Sequence, residues 1–470
     1  MIQQYEMAGE FNWRSKLKSA LFSHLRGFLI TSTIGIICLI YLYFSKKLTI
    51  SNTPVFLMVL SNCWGLLLII LLLGYGIVEI PRQCWKAGNN SDQLSSLYMK
   101  IHTLSEEMIE IKYALDETVK MLNAASYLLP RDSELQENLN FILSLCPIDV
   151  LEHQRTMQSH LSKDAKSQLG IINEKTLVQL HKDLKGNLSE YNRSKYRWDD
   201  YLDKALELED VISASGSPFM RIAFSFKEPR TGVFARKIEV VEWFWLTSMR
   251  PVLFRILGVV FTVLSVLIVL GESTLFLNEP IGVFPLLFKK SYGITLTQLY
   301  CVIPLSYIIL CTYFGLFNLK LSGWYGLYGN NHTDSSNLVW SAFFIARLTA
   351  PLCLNFLLFL KVRNTVYSEY MQTIDVVPFV GSEFATFFPL LLLVFAALNF
   401  FQVYGRVMSG LGLGSLSFSG KIRSDKVSDG KLIVTRNRTE RERKLGTYKR
   451  GVEMMGQKKD VRNVIKSNKT

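Results

Sequence analysis

The chain has 470 residues; 49% are apolar, 19% are charged, and the formal net charge is +13. A disordered chain is excluded, because such chains are poor in large apolar residues and rich in charge. A disulfide scaffold is excluded as well, since seven cysteines are too few for this length and six of them sit in or beside apolar runs. What stands out is a series of charge-poor blocks of about 20 residues, each able to cross a hydrocarbon core of about 30 Å at about 1.5 Å per residue. The expected fold class is therefore all-α: a polytopic helical membrane protein with about six transmembrane helices and a large cytosolic helical, coiled-coil insert.

Residues 1–26 form a polar N-terminal segment with no cleavable signal, so the first span serves as an uncleaved anchor. Spans one and two, Gly27–Phe44 and Val55–Val78, occupy residues 27–80. Residues 81–250 form the insert. Residues 251–404 carry the remaining spans: Pro251–Leu270, Leu299–Leu319, Leu338–Leu360 and about Phe387–Tyr404. The octet Ile281–Phe288 is apolar but too short to cross, and reads as a dip into the interface. Residues 405–470 hold 17 Lys or Arg against 6 acids. Basic flanks stay in the cytosol, so the tail, the insert and the N-terminus are all assigned to that side. The plasma membrane is the expected location, with an endomembrane as the alternative.

Within the insert, Leu97, Ile101, Leu104, Met108, Ile111, Leu115, Thr118 and Leu122 recur at alternating steps of four and three. That is a heptad seam with one polar interruption. Pro130 ends the run. A second stripe, from Leu177 to Leu206, is less regular, and the two suggest an antiparallel hairpin. Either the stripes cover each other, or one stays open to dock membrane receptors or soluble helical partners. The insert closes on Glu242-Trp243-Phe244-Trp245 and Arg250-Pro251. Trp rings suit the headgroup level, where one end is apolar and the indole N–H is wet.

Chemistry-bearing motifs are scarce. No metal-ligand spacing, hydrolase elbow or aspartyl pair is present, and neither cofactor, metal nor nucleic acid is expected. Gly410-Leu-Gly-Leu-Gly414 lacks the strand before it and the helix after it that a phosphate loop needs. Gly74-Tyr75-Gly76 closes a continuous apolar run, so close packing at small residues is expected there rather than an ion filter. Arg347 is the tenth residue of a 23-residue span. A charge near the midplane costs from about 3 kcal/mol upward and faces a partner or a wet cavity. With Pro351, which frees a carbonyl, and Asn355, it forms a candidate intramembrane polar site. Glu272 and Glu79 are its candidate partners. Asn-x-Ser/Thr sites at Asn89, Asn187, Asn192, Asn331 and Asn437 fall in segments assigned to the cytosol and should carry no glycan. Arg436, Arg438, Arg441, Arg443, Lys444, Lys449 and Arg450 make the tail either a solvated, topology-fixing segment or a site for anionic lipids.

The run Asn62-Cys63-Trp64-Gly65, continued by Leu73-Gly74-Tyr75-Gly76-Ile77-Val78-Glu79-Ile80-Pro81-Arg82, resembles the signature of the LIMR family, the limb-region-type membrane proteins. Arg347 to Phe356, Glu242 to Trp245 with Arg250-Pro251, and Tyr201 to Val211 resemble family segments too. The resemblance implies nine spans and a long glycosylated outer loop, and this chain starts about where the third of those spans ends. It assigns Gly65, Gly74, Tyr75, Gly76, Glu79 and Pro81 to the packing signature. It implies no enzyme. Relatives are described as lipocalin receptors, as a lysosomal vitamin B12 export protein and as modulators of G-protein-coupled receptor signalling. The expected function is thus a non-enzymatic, receptor-like modulator of signalling. A transporter or transporter accessory with a mid-membrane polar site, and a membrane scaffold, are the alternatives.

Overall fold

The computed structural model describes residues 2–45, 49, 51, 53–129, 134–146, 173–227, 230, 232, 234–274, 282–289, 293–318, 326–360, 366, 382–401 and 424–467. The regular elements among these are helical. In chain order they are α1 (Ile2–Met7), α2 (Trp13–Phe44), α3 (Thr53–Ala87), α4 (Asn90–Leu128), α5 (Glu134–Ser144), α6 (Glu174–Ala214), α7 (Ala235–Phe244), a π-helical turn (Trp245–Met249), α8 (Arg250–Ser273), α9 (Val283–Lys289), α10 (Ile294–Asn318), α11 (Ser335–Phe359), α12 (Ser382–Phe400) and α13 (Ser424–Ser467). Five of the described helical stretches are long and apolar enough to cross a membrane: Trp13–Phe44, Trp64–Ala87, Ala235–Ser273, Thr295–Asn318 and Ser335–Leu357. The sixth expected span is helical as α12, over 19 residues. The short octet forms the seven-residue α9, whose Phe284 packs against Phe359 with ring centroids 6.1 Å apart.

Two helices overrun the boundaries read from hydropathy. α2 begins at Trp13, capped by the Asn12 side chain, so its first turns carry Arg14, Lys16 and Lys18. α3 continues through Pro81 to Ala87, so the insert does not begin with a break in the helix. The Gly410–Gly414 run lies outside the described residues.

The chain divides into two compact units. The first comprises Met1–Trp85, Glu110–Arg193 and Phe254–Ser419. Its larger core is built on α3: Ile69, Leu72, Leu73 and Ile77 are buried with Ile268, Ile308, Cys311, Leu348, Phe359 and Leu392. Glycines set the approach distances. A Cβ on Gly76 would drive into the carbonyl of Cys311, and one on Gly315 would lie 2.6 Å from the carbonyl oxygen of Leu72. Each glycine thus meets the carbonyl one turn before the other, the close backbone approach that small residues allow between membrane helices. Gly74 faces Phe395 and Gly65 faces the Pro351 ring, at 2.9 and 2.7 Å from an added Cβ.

The same unit holds a second cluster, formed by Leu115, Val119 and Leu122 of α4 with Leu139 and Ile142 of α5 and Leu177, Leu180 and Leu184 of α6. Thr118, the polar interruption of the seam, accepts a 2.8 Å hydrogen bond from Asn187 Nδ2, which also reaches the Ala114 carbonyl at 3.3 Å. That nitrogen is the atom a glycan would require.

The N-terminal segment straps onto this cluster. Nδ1 of His181 donates to the Gly9 carbonyl at 2.7 Å, Phe11 stacks on the imidazole at 5.3 Å, and Nε2 is buried without a hydrogen-bond partner among the described residues. Burial holds the imidazole below its ordinary pKa of 6.5, the Gly9 bond opposes this, and the charges of Lys185 and Lys16 lower it further.

The second unit comprises Lys86–Ile109, Ser194–Leu253 and Gly420–Thr470. Tyr98 and Ile101 of α4 pack on Leu202, Ala205 and Leu206 of α6, with Val434 of α13 fully buried among them. A Cβ on Gly430 would strike the Tyr98 carbonyl, so α13 lies directly on α4. Arg197 pairs with Glu107 at 3.1 Å, and the Tyr98 hydroxyl donates to Glu209 at 2.5 Å. Of the seam, Ile101, Leu104, Ile111, Leu115, Thr118 and Leu122 are buried, and Leu97 and Met108 are half-buried. The two stripes therefore cover each other, and the seam is not an open docking face. The tail also departs from a free solvated segment. It is the helix α13, in which Arg438 bonds Glu209 at 3.0 Å, Asp210, and Ser225 at 2.8 Å, while Arg441 pairs with Asp203.

Two outcomes are expected. Gly76→Val destabilises the protein by about 1–3 kcal/mol through overpacking, whereas Gly27→Val, with open space around it, does not; thermal melting in detergent compares them. The strapped form binds fewer protons at His181 than the released form, so strapping is fully present above pH of about 6.5 and weakens as pH falls below it. Hydrogen exchange of residues 2–12, corrected for intrinsic pH dependence, should rise on acidification, and His181→Phe should remove that rise.

Candidate functional site

The polar residues that the sequence places mid-membrane divide into separate arrangements. Arg347 and Asn355 stand eight residues apart on α11, about 12 Å along the axis. The Arg347 guanidinium, half-buried, bonds the carbonyl of Ser61 at 2.6 Å and also its hydroxyl. It pairs with neither carboxylate proposed for it. Pro351, between the two, packs its ring on Gly65 of α3. Asn355 donates through Nδ2 to Glu272 Oε1 at 3.0 Å, with both side chains buried. The second carboxyl oxygen of Glu272 is buried with no hydrogen-bond partner among the described residues. Phe359 closes over Gly271, the residue before it, leaving no room there for a Cβ.

Glu79 serves the other end of α3. It receives Arg82 at 2.7 Å, and the same guanidinium donates to the carbonyls of Asn399 and Phe400 at 3.2 and 3.3 Å. These are the last carbonyls of α12, unpaired within the helix and at the negative end of its dipole. Asn399 Nδ2 returns a 3.0 Å bond to the Tyr75 carbonyl. The signature thus ties the end of α3 to the end of α12.

Pro81 explains a further contact. A proline inside a helix has no N–H for the carbonyl four residues earlier, here Ile77. Ser265 of α8 donates its hydroxyl to that carbonyl at 2.7 Å. The Ser265 oxygen lies 2.7 Å from the Tyr307 hydroxyl of α10, itself 3.2 Å from the Phe261 carbonyl. Three spans meet at one freed backbone group.

Sequence reasoning singled out Arg347, Asn355, Glu272, Glu79 and Pro81. It missed Ser61, Ser265, Tyr307 and Asn399. The last three sit in apolar runs where an isolated hydroxyl or amide needs a partner. The carbonyl exposed by Pro81 was the legible signal for one of them.

The family model described as LMBR1-like membrane protein matches residues 1–404. The chain belongs to that family. Among its LMBR1-like relatives, LMBR1 domain-containing protein 2 homolog A of Dictyostelium discoideum is 29% identical over 446 residues, covering 93% of this chain and 60% of the relative. The G-protein coupled receptor-associated protein LMBRD2 of Gallus gallus is 28% identical, covering 94% of this chain and 67% of the relative. That of Homo sapiens is 27% identical, with 94% and 66% covered. The chain therefore spans about three fifths to two thirds of the length of these relatives. No solved structure matches it.

The buried pair predicts a mutational pattern. Asn355→Leu leaves the Glu272 carboxyl buried without its donor and costs about 1–3 kcal/mol. Glu272→Met in that background recovers most of the loss, because an apolar pair of similar volume avoids the desolvation cost. Melting temperatures of the two singles and the double variant measure it.

Proposed function

We propose that this chain is a non-enzymatic, receptor-associated membrane protein that modulates signalling by G-protein-coupled receptors. The observation that carries the reading is that relatives matched over 94% of this chain are named as receptor-associated. In this reading the α4–α6 hairpin, α13 and both chain ends lie on the cytosolic side, where G proteins and receptor tails are found. The basic flanks of the spans support that side.

Because the seam is covered, the partner surface must lie elsewhere on the helices. Ile109 and Tyr113 of α4 are 70% and 72% exposed, both off the seam, and large apolar side chains in such positions favour partner helices. Proximity labelling with the full chain in cells should enrich receptors of this class over other multi-span proteins. Ile109→Asp or Tyr113→Asp should reduce that enrichment severalfold without altering expression. No receptor enrichment for the unaltered chain would end this reading.

A second reading, a transporter or transporter accessory, is favoured by the buried Glu272–Asn355 pair, whose second carboxyl oxygen has no hydrogen-bond partner among the described residues. Such a group can hold a proton or a small cation inside the span. In sealed liposomes it requires a solute or proton flux that Glu272→Gln removes. Intact flux in that variant would exclude it.

A further inference from the structure

The segment between α6 and α7 has features that neither the covered seam nor the receptor reading uses. The helix that follows it, α7, continues through the π-helical turn into the apolar run that starts at Pro251. Trp243 Nε1 donates to the Ala214 carbonyl at 2.9 Å, and Val211, Ala214 and Ile222 pack with Trp243 and Leu246. Those two anchors stand eight and five residues before Pro251. Trp at such a place marks the headgroup layer. The loop is thereby tied to the helix that leads into the span, and its tip is apolar: Phe219 is 84% and Met220 51% exposed. Met220 also has φ of +48°, a left-handed conformation uncommon for a side chain of this kind. Strain of that sort persists where surrounding structure over-determines it, often at ligand clamps.

Behind the tip lies a cleft of about 330 Å³ lined by Arg221, Phe224, Lys227, Arg230, Glu239 and Glu242. The volume is within the range of small-ligand sites. Three cations face it, each paired among the described residues with one acid: Arg221 with Glu239 at 3.1 Å, Lys227 with Glu207 at 2.7 Å and Arg230 with Glu242 at 3.1 Å. All three remain about half exposed, and exposed pairs of this kind are weak. A phosphate competes with them readily, since charge-assisted bonds from Arg to phosphate are short and bidentate. In contrast, Arg438 and Arg441 of the basic tail are committed to acids of the hairpin.

We propose that Arg221, Lys227 and Arg230 bind the phosphorylated headgroup of an anionic phospholipid, with Phe219 and Met220 inserted among its acyl chains. The apolar tip and the basic cleft are adjacent in one loop, and a lipid is the ligand that presents a phosphate and a hydrocarbon together.

Native mass spectrometry of the full chain in detergent tests this, with phosphatidylinositol bisphosphate, phosphatidylcholine and soluble inositol trisphosphate as probes. The anionic lipid should bind at least about tenfold tighter than phosphatidylcholine. Replacing Arg221, Lys227 and Arg230 together by Ala should remove that preference with unchanged melting. Lys227→Glu, at an exposed residue, gives the same direction should the triple variant fail to fold. Phe219→Ser with Met220→Ser should weaken lipid binding while leaving the soluble headgroup unaffected. Equal affinity for the two lipids, or an unaltered preference in the Lys227→Glu protein, overturns the proposal. So does a soluble headgroup that binds as tightly as the lipid with Phe219 and Met220 irrelevant, which would mean a free phosphate ligand.

Discussion

Inside a bilayer an apolar helix gains little by exchanging lipid for another apolar helix, so spans are held by close packing and by hydrogen bonds. In this protein both come to α3. Its glycines let Cys311, Phe395 and Pro351 approach within a distance no side chain would permit. Its Pro81 leaves one carbonyl unpaired, and Ser265 and Tyr307 assemble there. Unpaired backbone in hydrocarbon costs several kcal/mol, so this single defect in α3 orients two other spans. Pro81 breaks the helix ladder, and Ser265 bonds the Ile77 carbonyl that it frees.

The polar-faced helices α4 and α6 are built on a different balance. Apolar burial holds them together, and the two long helices cover each other's stripes. Polar residues enter where the pairing would otherwise fail, as at Thr118 and Asn187. The tail helix adds charge to this. Arg438 contacts Glu209, Asp210 and Ser225 together, and such a cluster depends less on the geometry of any single pair than isolated surface bridges do.

Much of this architecture was legible in the residues. Block length and charge gave the spans, because a helix in lipid must be apolar for about 20 residues. The steps of four and three on α4 match the side on which Ile101, Leu104, Ile111, Leu115 and Leu122 are buried, since side-chain period is a local property. Helix ends were less legible: Asn12 extends α2 by capping it, and Pro81 is tolerated because its freed carbonyl finds Ser265. Both depend on what sits nearby in space or in the flanking turn, not on hydropathy. The polar residues of the spans were legible as candidates but not as pairs. Arg347 finds Ser61 across 286 positions and Arg438 finds Asp210 across 228. No periodicity encodes such matches.

The π-helical turn at Trp245–Met249 has a geometric consequence. Its closing bond runs from the Arg250 N–H to the Trp245 carbonyl, five residues back instead of four, and Pro251 follows with no N–H of its own. One surplus residue is thereby absorbed, and each residue of an α-helix turns the chain by about 100°. Side chains before the turn are consequently out of phase with those after it by one such step. The Trp-rich stretch and the oily stretch that follows can each present the face its own surroundings demand, like two lengths of screw thread joined with an offset.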